Sequence, residues 1–205
     1  EFGGRLWSLI DKASGRNLLY TNPVFQPGNL AFRGAWFSGG VEWNFGVVGH
    51  SPFTCDPPFA ARLTDEDGNP VLRIYEWERI RRMPYQVDFV LPDSSQFLYV
   101  TVTIINPHEK EVPTYWWSNI AAIQTPETRV LAPSKQAFYF EYGGDQRAVK
   151  LVPVPVYKGR DICYPTNNYS SHDYFYYLDA SKRPWEAAID KNGLGLIHTS
   201  TKKLK

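Results

Sequence analysis

Cysteine is scarce in this chain: Cys55 and Cys163 are the only two in 205 residues. They lie far apart and fit no cysteine-based zinc spacing. They read either as two reduced thiols of a cytosolic protein or as one Cys55–Cys163 disulfide. Long hydrophobic runs are also missing. No stretch approaches the roughly 20 apolar residues of a membrane helix, and no signal peptide is visible. No membrane association is therefore expected, and the expected compartment is the cytoplasm. Neither sign of charge dominates, with 22 Lys and Arg against 21 Asp and Glu and a net charge of +1. The basic residues are scattered, whereas a nucleic-acid binder concentrates them, so no nucleic-acid partner is expected. Arg79, Arg81 and Arg82, and the tail Lys202, Lys203 and Lys205, read as solvated faces. There are no heptads, internal repeats or low-complexity segments. A P-loop, a dinucleotide-binding glycine motif, a GxSxG elbow and an HExxH pair are all absent, and no cofactor or metal is expected.

What the chain has in quantity is aromatic side chains, with 7 Trp, 13 Tyr and 12 Phe. It also has 16 prolines, spread in a way that excludes long helices. The pattern is strand after strand with turn punctuation. Strands are expected at residues 5–10, 17–20, 60–63, 71–79, 85–91, 97–106, 112–123, 128–132, 173–178, 185–190 and 194–201. Asp67-Gly68 marks a hairpin, and Leu98, Val100, Val102 and Ile104 alternate with Tyr99, Thr101 and Thr103 at the strand period of two. Pro153 and Pro155 mark an edge strand or a loop. The expectation is one all-β domain over residues 1–205, an antiparallel sandwich. Strand-like sequence begins and ends the chain almost at once, so an excised fragment, incomplete at both ends, is expected.

Three stretches carry candidate chemistry. The first is AWFSGGVEWNFGVVGH, residues 35–50. Trp36 and Trp43 offer flat apolar faces, and Glu42, Asn44 and His50 offer hydrogen bonds and a titratable ring. An extended backbone over residues 41–45 puts Glu42 and Asn44 on one face and Trp43 on the other. A carboxylate beside an amide suits sugar hydroxyls, and His50 adds an acid or base. The alternative is loop polarity around buried aromatics. The second is TYWWSN, residues 114–119, where Tyr115, Trp117 and Asn119 share a face. The third is a polar loop entering an aromatic strand, with His172 and Asp173 at the junction. Its alternative is ordinary turn chemistry.

The runs NLAFRGAWFSGGVEWNFGVVGH, INPHEKEVPTYWWSNIAA, and SSHDYFYYL followed by RPWEAAIDKNGLGLIHTST together resemble a bacterial family of domains of unknown function. That family lies within the galactose mutarotase-like superfamily and often stands N-terminal to tetratricopeptide repeats. The resemblance covers essentially the whole chain. It implies an antiparallel β-supersandwich that handles carbohydrate on a concave sheet face. True aldose mutarotases carry a catalytic histidine in a run like NHSYFNLAG. Aligned with residues 114–121, that run puts Tyr115 where the histidine stands. Their His-Gly-Gly run is matched here by Ser38-Gly39-Gly40, and their sugar-binding Asp by Asp173 in Asp173-Tyr174-Phe175. Their glutamate base has no visible counterpart. Tyrosine, with an ordinary pKa of about 10, is a poor substitute for an acid that works near neutrality. Simple mutarotation is therefore disfavoured.

The expected function is carbohydrate binding or processing on one sheet face, with a monosaccharide or oligosaccharide as partner. Glu42, Asp173 and His50 are the catalytic candidates. Arg33, Trp36, Trp43, Asn44, Tyr115, Trp117, Asn119 and His172 are the candidate sugar contacts. One alternative is a glycoside hydrolase with a carboxylate pair that includes Glu42 or Asp173. Another is a non-catalytic scaffold attached to a helical repeat region of the same parent chain.

Overall fold

Turn chemistry places the strongest hairpin. In the computed structural model, the Asp65 carboxylate accepts the backbone N–H groups of Asp67 and Asn69, and Gly68 takes the left-handed conformation at φ 86°. The structure describes residues 2–25, 28–31, 34–46, 49–141 and 149–200, with the backbone alone at 28–31, 34–36, 52 and 141. It is an all-β architecture of antiparallel sheets. Among the described residues the helical elements are two 3-10 turns, Pro52–Cys55 and Pro165–Asn167. No helix is long and apolar enough to cross a membrane.

The chain forms two compact units, each drawn from two separate stretches: Glu1–Trp7 with Thr21–Ala121, and Ser8–Tyr20 with Ala122–Lys205. In the first unit, Phe59–Thr64, Pro70–Glu78, Met83–Val90 and Tyr99–Ile104 form a four-stranded sheet in sequential order. One face of that sheet buries Ile74, Met83, Tyr85 and Val87. The other carries the cross-strand Arg73–Asp88 pair, two charge-assisted bonds of 2.7 Å each.

A two-stranded ribbon, Val41–Phe45 against Trp116–Ile120, completes this unit. Its register sets Phe45 opposite Trp116 and Trp43 opposite Ser118. Residues directly opposite share a face, so Trp43, Phe45 and Trp116 gather on one side. They pack against the sheet, with ring centroids 5.5 Å apart for Trp43–Phe89, 5.2 Å for Phe45–Tyr85 and 5.9 Å for Tyr85–Trp116. This aromatic layer is the core of the first unit.

In the second unit, Gln136–Glu141 lies between Lys150–Pro153 and His172–Tyr176, and Trp185–Ile189 lies between Arg129–Leu131 and Gly195–Thr199. Ala137, Tyr139, Val152 and Ile162 form its buried cluster, with Tyr157, Tyr174 and Tyr176 packed around it. The strand ending at Pro153 is an edge strand, as a proline that cannot donate to the ladder requires.

The strand expected over 5–10 is instead an isolated bridge at Leu6 and a short pair that begins at Ile10. The strand expected over 112–123 is confined to Trp116–Ile120. Pro113 has no N–H to donate just ahead of it. Both cysteines are free thiols, Cys163 buried and Cys55 half-buried.

Candidate functional site

The ribbon register that builds the core also builds the opposite face. Asn44 lies opposite Trp117 and Glu42 opposite Asn119, so the two candidate groups from separate parts of the sequence share one surface. Over Glu42 and Asn44 the chain folds back as the 3-10 turn Pro52–Cys55. Ser51 caps this turn and Pro52 opens it. Two bonds hold the turn to the ribbon. The Ser51 N–H donates to Asn44 Oδ1 at 2.6 Å, and the Thr54 hydroxyl donates to Glu42 Oε1 at 3.0 Å.

Glu42 is 1% exposed. Besides Thr54, His50 Nδ1 lies 2.9 Å and 3.0 Å from its two oxygens. The Arg5 Nη2 atom is 3.7 Å from Oε1, close enough for charge attraction and too far for a hydrogen bond. Burial pushes the Glu42 carboxyl up. The bond and charge of His50, the charge of Arg5 and the Thr54 hydroxyl outweigh it and hold the group below its ordinary value. Bonding of Nδ1 to a carboxylate fixes the ring and puts the proton of the neutral form on Nδ1. The imidazole is 30% exposed and packs against Trp117 with ring centroids 5.2 Å apart. The Trp117 indole N–H donates to the Gly49 carbonyl at 3.0 Å.

Arg5 reaches this site through a close backbone approach. Gly40 adopts φ 65°, and a Cβ there would lie 2.4 Å from the Leu6 carbonyl oxygen. Only glycine lets the N-terminal segment lie this near the ribbon. The Arg5 side chain is 6% exposed. Its Nη1 donates to the Gly39 carbonyl at 2.6 Å, and its guanidinium carbon sits 4.0 Å over the Phe37 ring. Its Nε and Nη2 atoms are buried with no hydrogen-bond partner, and so is Asn44 Nδ2. Each unpartnered buried donor costs about 1–3 kcal/mol. Arg5, Phe37, Ser38, Gly39, Gly40, Glu42 and Asn119 border a cavity of about 180 Å³. That is below the roughly 300–1,000 Å³ of sites for drug-sized ligands.

The structure therefore brings together Glu42, Asn44, His50, Trp117 and Asn119. Tyr115 is 43% exposed and immediately precedes the strand; its carbonyl accepts the Gly46 N–H. Trp43 leaves the candidate site. It is 7% exposed on the core face, and its indole N–H is used by the Gly4 carbonyl. Turned to the core and packed on Phe89, this ring cannot serve as a sugar platform. Trp36 is described by backbone alone, in the strand Gly34–Trp36, and Arg33 lies outside the described residues. His172 and Asp173 belong to the second unit. There they point to opposite faces of one strand, His172 packing on Tyr139 and Tyr169, and Asp173 opposite Phe140 in register. Arg5 and Thr54 carried no signal in the sequence. One sits in an unremarkable N-terminal run and the other in a proline-flanked turn; only the fold places them on Glu42. Among the described residues no three His, Cys, Asp or Glu side chains cluster as a metal site would require.

The fold is similar to that in the crystal structure of a TPR-domain containing protein from Parabacteroides distasonis ATCC 8503, with a TM-score of 0.74 and 21% identity. The match covers 94% of this chain and 31% of that one, so this chain spans less than a third of that protein. Over residues 1–204 the sequence matches the profile of the family described as Domain of unknown function (DUF5107), and the chain belongs to that family.

Proposed function

We propose that the protein binds carbohydrate at the Arg5–Glu42 cavity, within an antiparallel supersandwich of the galactose mutarotase-like kind. The observation that carries this reading is a cavity of about 180 Å³ bordered by Arg5, Glu42 and Asn119, on the ribbon face that also carries Trp117. A sugar presents hydroxyls on its rim and an apolar C–H face. Arg5, Glu42 and Asn119 at the cavity match the first, and the Trp117 ring on the same ribbon face matches the second.

Recognition fits the site better than hydrolysis. The Glu42 oxygens already accept bonds from His50 and Thr54, and the carboxyl is buried and held in its charged form. Such a group cannot be the general acid, which needs a raised pKa, and as nucleophile or base it would need oxygens free to face the sugar and a second carboxyl roughly 5–10 Å away. The likeness to a TPR-domain containing protein supports one further partner, a helical repeat region in the same parent chain. A glycan array on the intact protein, followed by calorimetry on the hits, tests the proposal. Binding that Trp117→Ala and Asn119→Ala weaken supports it, and absence of any glycan binding refutes it.

A further inference from the structure

We infer that the sugar bound at this site is uncharged, and that its hydroxyls bridge the Arg5 guanidinium and the Glu42 carboxylate; this rests on the carbohydrate reading above. The guanidinium is fixed in place. Nη1 is bonded to Gly39, Phe37 lies beneath the plane, and the side chain is almost wholly enclosed. The edge left over, Nε with Nη2, is the one that forks onto two adjacent acceptors, and it has none. The site is thus short of acceptors beside Arg5.

Two chemistries fit such a fork: a carboxylate, as in a uronic acid, or two neighbouring hydroxyls of a neutral ring. The neighbours decide between them. Arg5 and Glu42 already balance one positive charge with one negative. Glu42 keeps its charge because His50, Arg5 and Thr54 all favour it. A ligand carboxylate beside Arg5 would place a second negative charge close to Glu42 where little water screens it, and this is unfavourable. A hydroxyl brings no charge. It accepts from Arg5 and can donate its proton to Glu42, which a carboxylate cannot do. Asn119, exposed and opposite Glu42 in the register, adds a donor and an acceptor at the rim.

The test is binding of the intact protein to matched pairs of glycans, galactose against galacturonate termini and glucose against glucuronate termini, measured by array and then by calorimetry. The expected result is that neutral glycans bind and their uronate partners bind at least ten-fold more weakly. Glu42→Gln should narrow that ratio by removing the repulsion, and Arg5→Met should abolish neutral binding. Circular dichroism checks the fold of both variants, and the ratio in the unsubstituted protein decides the question without them. Uronates that bind as tightly as the neutral glycans, or more tightly, overturn the inference and leave the carbohydrate reading standing. Binding of neither class overturns both.

Discussion

The sequence singles out two carboxylate–histidine pairs, Glu42 with His50 and Asp173 with His172, and of these two only the first is a pair in space. His172 and Asp173 are adjacent in sequence, and for that reason the strand sends them to opposite faces, one onto tyrosines and one opposite Phe140. Glu42 and His50 are eight residues apart, and the fold brings the ring back onto the carboxylate. The contrast teaches that sequence adjacency inside a strand separates functional groups, while register and turns unite them. The same rule explains the ribbon. Trp43 is the immediate neighbour of Glu42 and lies in the core, whereas Asn119 is far off in sequence and shares the Glu42 face.

If Glu42 anchors its surroundings, substitutions within its site must cost far more than one at the exposed rim. Glu42→Ala leaves the Arg5 charge buried without its counter-charge and removes the acceptor of Thr54 and His50. A loss of about 3–5 kcal/mol is expected in denaturant unfolding. Thr54→Val keeps the shape and removes one bond to a charged acceptor. It should cost about 1.5–3 kcal/mol in the same assay. Asn119→Ala, at an exposed position, should change stability by no more than about 0.5 kcal/mol while weakening glycan binding.

Acid titration tests the Glu42 site by another route. The Glu42 carboxyl is held below its ordinary value in the folded protein. In the window between the folded and unfolded values the unfolded chain therefore binds more protons, and stability rises with pH. This contribution is fully present above the unfolded carboxyl value of about 4.3 and is lost as pH falls through the lower folded one. Glu42→Gln should flatten the acid limb of a stability–pH curve.

Much of the fold was legible because its signals are local. The hairpin around Gly68, the alternation from Leu98 to Ile104 and the final hairpin each carry turn chemistry or a period of two within a few residues. Gln136–Glu141 was missed because both its faces are apolar: Ala137 and Tyr139 are buried while Phe138 is exposed at 40%, so no polar alternation marks it. Lys150–Pro153 was legible only as an edge strand or a loop, because Pro153 fits either. In the site, Glu42, Asn44, Trp117 and Asn119 were legible from residue type and strand parity. That the two strands pair was not, because register is set by the aromatic layer beneath. Arg5 was illegible for a similar reason. Its position follows from the close passage at Gly40, which no spacing in the sequence announces.

The central claim is that sugar binds on the Glu42 face of the ribbon and not elsewhere. The chain's 7 tryptophans supply seven indole N–H reporters in a proton–nitrogen NMR spectrum. Titration of the intact protein with neutral galactose- and glucose-terminated saccharides should shift the Trp117 indole signal. The signals of Trp43 and Trp116, on the core face, should stay in place. Saturating sugar that leaves Trp117 unmoved, or that moves only indoles outside this ribbon, would contradict the account.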